Sequence, residues 1–268
     1  VLPVDAEGVV SPESLREALN EETALVSVQL VNSEVGTIEP VRELVKVLRK
    51  NSKKIYFHTD ASQAPLWVDI NVEKLGVDLM TLDAQKVLGP KGIGALYVRR
   101  GTPIEPILWG GKQEHALRGG TENVPQAGAF AVALADAKRG VEERAKNMTA
   151  VRDYLWNEIK KLLPDAAVNG PTLFSYANRA PNNLNISIPG LEAEMAVISL
   201  DALGVAASTR SACSAGETEP SHVIKALGIP KEMAGTAIRL TLLPGATRSQ
   251  MNRIASALKE TTDRYRQR

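Results

Sequence analysis

The chain has 268 residues, a formal net charge of +1, and 44% hydrophobic and 24% charged residues. That balance is ordinary for a globular protein and gives no reason to expect nucleic acid or an anionic membrane as a partner. No apolar run is long enough to span a bilayer, and the first residues show no secretory pattern. The single cysteine, Cys213, rules out an internal disulfide, so a cytoplasmic location is expected.

The first half alternates strand and helix signals. Residues 24–30 read as a strand, and Val41–Arg49, apolar at 41, 44, 45 and 48 after Pro40, reads as an amphipathic helix. Residues 55–58 form a short buried strand. Two more flank Lys86, one carrying Leu79, Met80 and Leu82 and the other following a Gly-Pro-Lys-Gly turn. Repeated strand–helix–strand units predict an α/β fold with a mostly parallel sheet covered by helices. Ligands of such sheets sit at the carboxyl ends of the strands. Asn32, Asp60 and Lys86 each follow a predicted strand, which would let them converge on one pocket.

A long helical region spans about 124–163, broken near Gly140 or Asn147. Beyond it, 183–188 and 238–242 read as strands, and 192–203 and 248–261 as helices. The expected division is a larger domain over 1–140 and a smaller α+β domain over 141–268. No repeat or low-complexity tract interrupts it.

Several residues stand out chemically. Lys86 closes a strand just before a glycine-rich turn, where a lysine suits a Schiff base with a carbonyl cofactor; a solvated surface lysine is the plain alternative. Asp60, in His58-Thr-Asp-Ala-Ser-Gln63, fits a partner for a protonated pyridine nitrogen or, equally, a helix cap. Gln63 is placed to donate to a ring oxygen. The glycine-rich segment 109–123 offers backbone amides, the Thr121 hydroxyl and Arg118 to a phosphate. Cys213 lies among Ser, Thr, Gly, Glu and Pro, the composition of an exposed loop, with Arg210 nearby to favour its thiolate. Arg239, among apolar neighbours, calls for a carboxylate partner, either a substrate's or a structural one.

Together these segments resemble the cysteine desulfurases of the NifS/IscS type, pyridoxal-phosphate enzymes of fold type I in the class V aminotransferase group. The resemblance rests on Val31-Asn-Ser-Glu-Val-Gly36, His58–Gln63, the segment from Lys86 to Arg99, Arg118-Gly-Gly-Thr-Glu-Asn123, the cysteine loop with the following Glu219-Pro-Ser-His, and Ile238-Arg239. It implies a pyridoxal 5'-phosphate site in which Lys86 bonds the cofactor and later moves the substrate α-proton. Asp60 would pair with the ring nitrogen, with Gln63 at the ring hydroxyl and Asn32 also in the cofactor site. Thr121 would reach the phosphate of a neighbouring subunit, which implies a homodimer. Arg239 would clamp the carboxylate of L-cysteine. Cys213 would take its sulfur as a persulfide, leaving alanine, for delivery to an acceptor such as an iron–sulfur scaffold.

Some positions depart from the family pattern. Asp83 and Gln85 stand where the family carries serine and histidine, and Ser33 stands where it carries asparagine. The family's N-terminal phosphate loop and ring-stacking histidine have no counterpart among these residues. Two alternatives follow: a degenerate homologue acting as a scaffold or dimer partner, and a pyridoxal-phosphate enzyme of the selenocysteine lyase kind.

Overall fold

A computed structural model of the chain describes residues 1–51, 53–173, 178–210 and 220–267. In chain order the elements are α1 (Pro12–Ala18), β1 (Leu25–Gln29), α2 (Val41–Arg49), β2 (Tyr56–Asp60), α3 (Val72–Leu75), β3 (Leu79–Asp83), β4 (Gly94–Val98), α4 (Val124–Lys138), α5 (Val141–Leu162), β5 (Ala167–Val168), β6 (Asn183–Ser187), α6 (Ala193–Ala202), α7 (His222–Ala226), α8 (Lys231–Ala234), β7 (Ala237–Thr241) and α9 (Arg248–Arg266). Short 3-10 turns occupy Ala84–Val87 and Gln113–Ala116.

The chain groups into two compact units. One comprises Leu19–Leu30 and Val41–Gly140; the other comprises Val1–Ala18, Val31–Pro40 and Val141–Arg268. The grouping changes at Gly140, and it also places the two short early segments with the residues that follow 140.

In the first unit, the strands run in the order β1-β2-β3-β4. The first three are parallel, and β4 returns antiparallel to β3 through the Gly-Pro-Lys-Gly turn. Strict alternation of side chains buries Val26, Val28, Phe57, Thr59 and Met80 on one face. Helix α2 lies against β2 and buries its stripe of Val41, Leu44, Val45 and Leu48. Register puts Ser27, His58, Asp60 and Thr81 together on the other face. At the amino end of these strands the buried Asp78 carboxylate accepts from the Phe57 amide and the Arg49 guanidinium, both at 2.8 Å.

In the second unit, β5-β6-β7 form an antiparallel sheet, and α5 packs against α9. Strand β6 is buried on both faces. Leu184 and Ile186 supply the apolar side, while Asn183, Asn185 and Ser187 supply a polar side whose groups are all hydrogen-bonded, as burial requires. Helix α9 opens with a complete capping box, Thr247 and Gln250 each satisfying the other's backbone amide. Among the described residues no helix is long and apolar enough to cross a membrane.

Candidate functional site

Lys86 sits in the 3-10 turn that follows β3, and the turn is tied down on both sides of it. Ala84 and Val87 are buried against Phe130 and Ala137 of α4, which leaves Gln85 and Lys86 facing outward. Asp83 caps the turn, its Oδ1 accepting the Gln85 amide at 2.9 Å. The turn ends at Leu88, held at φ 63°, and Gly89 follows where a Cβ would meet the Ala84 carbonyl at 2.9 Å. Gly94 has the same origin: a side chain there would press on the Leu82 carbonyl at 2.7 Å. The Lys86 amine has no hydrogen-bond or ion-pair partner among the described residues.

Asp60 is the last residue of β2 rather than the first beyond it, and its register partner in β3 is Thr81. Its Oδ1 accepts the Ser62 amide at 2.9 Å, a local turn that fixes the carboxylate, and Oδ2 makes no hydrogen bond among the described residues. Both Asp60 and the Lys86 turn therefore stand at the carboxyl ends of adjacent parallel strands. Gln63 lies in the turn after β2. One step back along β2, His58 bridges the sheet, Nδ1 lying 2.7 Å from the Ser27 hydroxyl and Nε2 3.4 Å from that of Thr81. Burial pushes the His58 pKa down, with the Asp60 charge opposing. Sequence reasoning passed over this histidine, although alternation along β2 already put it on the same face as Asp60.

Thr121 is exposed, three residues before α4, whose N-cap is Asn123. The preceding segment crosses itself closely: a Cβ on Gly119 would meet Gly110 Cα at 2.7 Å. Glu114, His115 and Ala116 all take positive φ, a conformation unfavourable for residues with a Cβ. Arg118 donates to the carbonyl of Gly119 at 2.6 Å.

Asn32 and Arg239 belong to the second unit. Asn32 Oδ1 accepts the amides of Glu34 and Val35, so its side chain shapes the turn at 32–36. Arg239, in β7, donates one guanidinium N–H to the Ser33 carbonyl at 3.1 Å. Its remaining guanidinium N–H groups have no partner among the described residues. Burial lowers its pKa and the nearby Glu34 charge works in the opposite direction. Cys213 lies outside the described residues.

A separate cleft of about 530 Å³ opens at the amino end of the first sheet, bordered by Arg49, Lys54, Arg99 and Arg100. Its two inner arginines are occupied structurally. Arg49 binds the Ile55 and Gly76 carbonyls and Asp78; Arg99 binds the Val72 and Val77 carbonyls and Glu73. Asp60 and Lys86 lie at the opposite end of the strands.

Residues 1–254 match the aminotransferase class-V family, and the chain belongs to that family, whose members are pyridoxal-phosphate-dependent enzymes. It is 42% identical over 265 residues to the cysteine desulfurase IscS of Dictyoglomus turgidum, a match covering 99% of this chain and 66% of that protein. The structure superposes on a solved NifS-like protein with a TM-score of 0.88 at 34% identity, covering 98% of this chain and 67% of that one. It also matches SspA in complex with cysteine at a TM-score of 0.70 and 29% identity, covering 92% and 66% of the two chains. The chain spans about two thirds of the length of the curated relatives it matches.

Proposed function

We propose that this chain carries the cofactor- and substrate-binding residues of a pyridoxal-phosphate cysteine desulfurase. The observation that carries this reading is the placement of Lys86 and Asp60 at the carboxyl ends of adjacent parallel strands, each with polar atoms that make no hydrogen bond among the described residues. A carboxylate oxygen and an amine so placed suit the ring nitrogen and the aldehyde carbon of the cofactor. Pyridoxal phosphate, when bound, supplies the electron sink that lets a proton leave the α-carbon of an amino acid.

Lys86 supplies the amine that holds the cofactor and moves the α-proton at Nζ. Asp60 holds a proton on the ring nitrogen, Gln63 contacts the ring oxygen, Asn32 adds to the cofactor site and Thr121 contacts a phosphate. Arg239 receives the carboxylate of L-cysteine on its unoccupied N–H groups, the bidentate geometry guanidinium favours. Cys213 takes the substrate sulfur as a persulfide, leaving alanine, and passes the sulfur to an acceptor protein such as an iron–sulfur scaffold. A second copy of the chain is the expected partner. Ile107, Trp109, Val124 and Val132 of the first unit are all exposed, Ile107 to 92% and Trp109 to 80%, apolar side chains that a second copy would cover.

The test is a visible absorption spectrum with added pyridoxal phosphate, followed by sulfide release from L-cysteine and a reductant. A cofactor band that disappears in Lys86→Ala, with sulfide release that collapses in Cys213→Ala, is the expected result. A chain that stays colourless with excess cofactor would overturn the reading. Turnover that survives Cys213→Ala would replace it with a cysteine-independent lyase.

A further inference from the structure

The turn at 32–36 is held more firmly than its length explains, and Glu34 is at its centre. This glutamate is 2% exposed. Its Oε2 accepts the Ser221 hydroxyl at 2.5 Å, while the Ser221 oxygen accepts the Val223 amide as the cap of α7. The Glu34 carbonyl accepts the side-chain amides of Asn183 and Asn185 at 2.9 and 3.1 Å. The Asn32 side chain closes the turn from within. At Gly36, φ 76°, a Cβ would lie 2.8 Å from the Asn183 side chain.

This clamp has one outward product. Asn185 and Arg239 are register partners in β6 and β7. They share a sheet face, and from it both reach the clamped turn, Asn185 at the Glu34 carbonyl and Arg239 at that of Ser33. The Ser33 carbonyl takes one N–H of the guanidinium, and the others have no partner among the described residues. A flexible arginine stem otherwise samples many rotamers, and fixing it in advance removes that cost from binding.

We propose that Glu34 is a positioning residue for Arg239: by anchoring the 32–36 turn to Ser221 and β6, it holds the Ser33 carbonyl where it orients the guanidinium toward the carboxylate of a small amino acid. The substrate assignment rests on the desulfurase reading above; the orientation of Arg239 does not.

Two variants separate position from bulk stability. Glu34→Leu removes the acceptor for Ser221, whereas Glu34→Gln keeps an oxygen there and so acts as the conservative rescue. Glu34→Leu is expected to raise the KM for L-cysteine about tenfold, the scale of one lost charge-assisted hydrogen bond, with a much smaller change in kcat. Glu34→Gln should restore KM to near the wild-type value. Ser221→Ala, which leaves Glu34 in place, should raise KM in the same direction but less.

Side-chain NMR of labelled arginine provides the arm that needs no turnover. The Arg239 guanidinium signal, assigned by its loss in Arg239→Lys, should shift and broaden in Glu34→Leu and recover in Glu34→Gln. A folded Glu34→Leu protein with an unchanged KM or an unchanged Arg239 signal would overturn the proposal. If the wild-type chain turns over no cysteine, the desulfurase reading falls and the NMR result alone decides the positioning role.

Discussion

The Ser27 hydroxyl lies 2.7 Å from Nδ1 of His58, joining β1 to β2 on the sheet face that ends in Asp60. Burial holds the His58 pKa below its ordinary value, so folding opposes protonation of the ring. The unfolded chain binds the extra proton first as pH falls below about 6.5. Stability therefore declines from there down to the depressed folded value and is recovered as pH rises. Urea unfolding of the wild type and His58→Asn between pH 5 and 7 should show the wild type gaining relative stability with pH. A constant difference across that range would remove histidine titration as the cause.

Glu39 carries the opposite sign. Its Oε2 accepts the Val10 amide in a buried setting. Burial raises its pKa to about 7, with the Val10 hydrogen bond opposing and the Asp5 charge adding to the rise. The unfolded carboxyl ionises at lower pH, so folding is favoured while Glu39 stays neutral and that advantage is lost as pH rises toward and past 7. The full excursion is on the order of 3 kcal/mol. Glu39→Gln should be the more stable protein at pH 8 and gain little at pH 4.5, measured by the same denaturant series. Because His58 and Glu39 pull in opposite directions, only the single variants resolve them.

Leu88 holds φ 63° while remaining 65% exposed, so the strain is offset by little burial. Glycine takes that conformation without the steric penalty of about 1–2 kcal/mol, at a smaller entropic cost to the folded state. Leu88→Gly should leave the fold unchanged and raise its stability by up to about 1 kcal/mol, read as a higher thermal midpoint. A lower midpoint would mean that the leucine side chain makes contacts that outweigh the strain.

Asp83 serves as the N-cap of the Lys86 turn, a role serine fills equally well. Asp83→Ser keeps the cap while removing a negative charge three residues from Lys86. If Asp83 adjoins the cofactor phosphate, the substitution should tighten pyridoxal-phosphate binding with no loss of thermal stability. Equal affinities in titrations followed by absorbance would place the phosphate away from this side chain.

The sequence announced those features that depend on local pattern. The period-two strands, the amphipathic α2 and the break between α4 and α5 at Gly140, which takes φ 61°, were all readable because each is decided within about ten residues. The short helices α7 and α8 and the two-residue β5 were missed, since segments of five residues or fewer carry almost no periodicity. Lys86, Asp60 and Arg239 were visible as polar residues in strands or just beyond them. Glu34 was not, because what gives it meaning lies far along the chain: Asn183 is 149 residues away and Ser221 187. No window of sequence shows that pairing.

The turn around Lys86 alternates residues that belong to the scaffold with residues that belong to the surface. Ala84 and Val87 are fastened to α4, while Gln85 and Lys86 face outward and bear no packing load. A lineage carrying this turn is thus free to rewrite its outward positions while keeping the backbone that presents them. Whatever these outward positions carry can be exchanged by substitution without the fold registering the change.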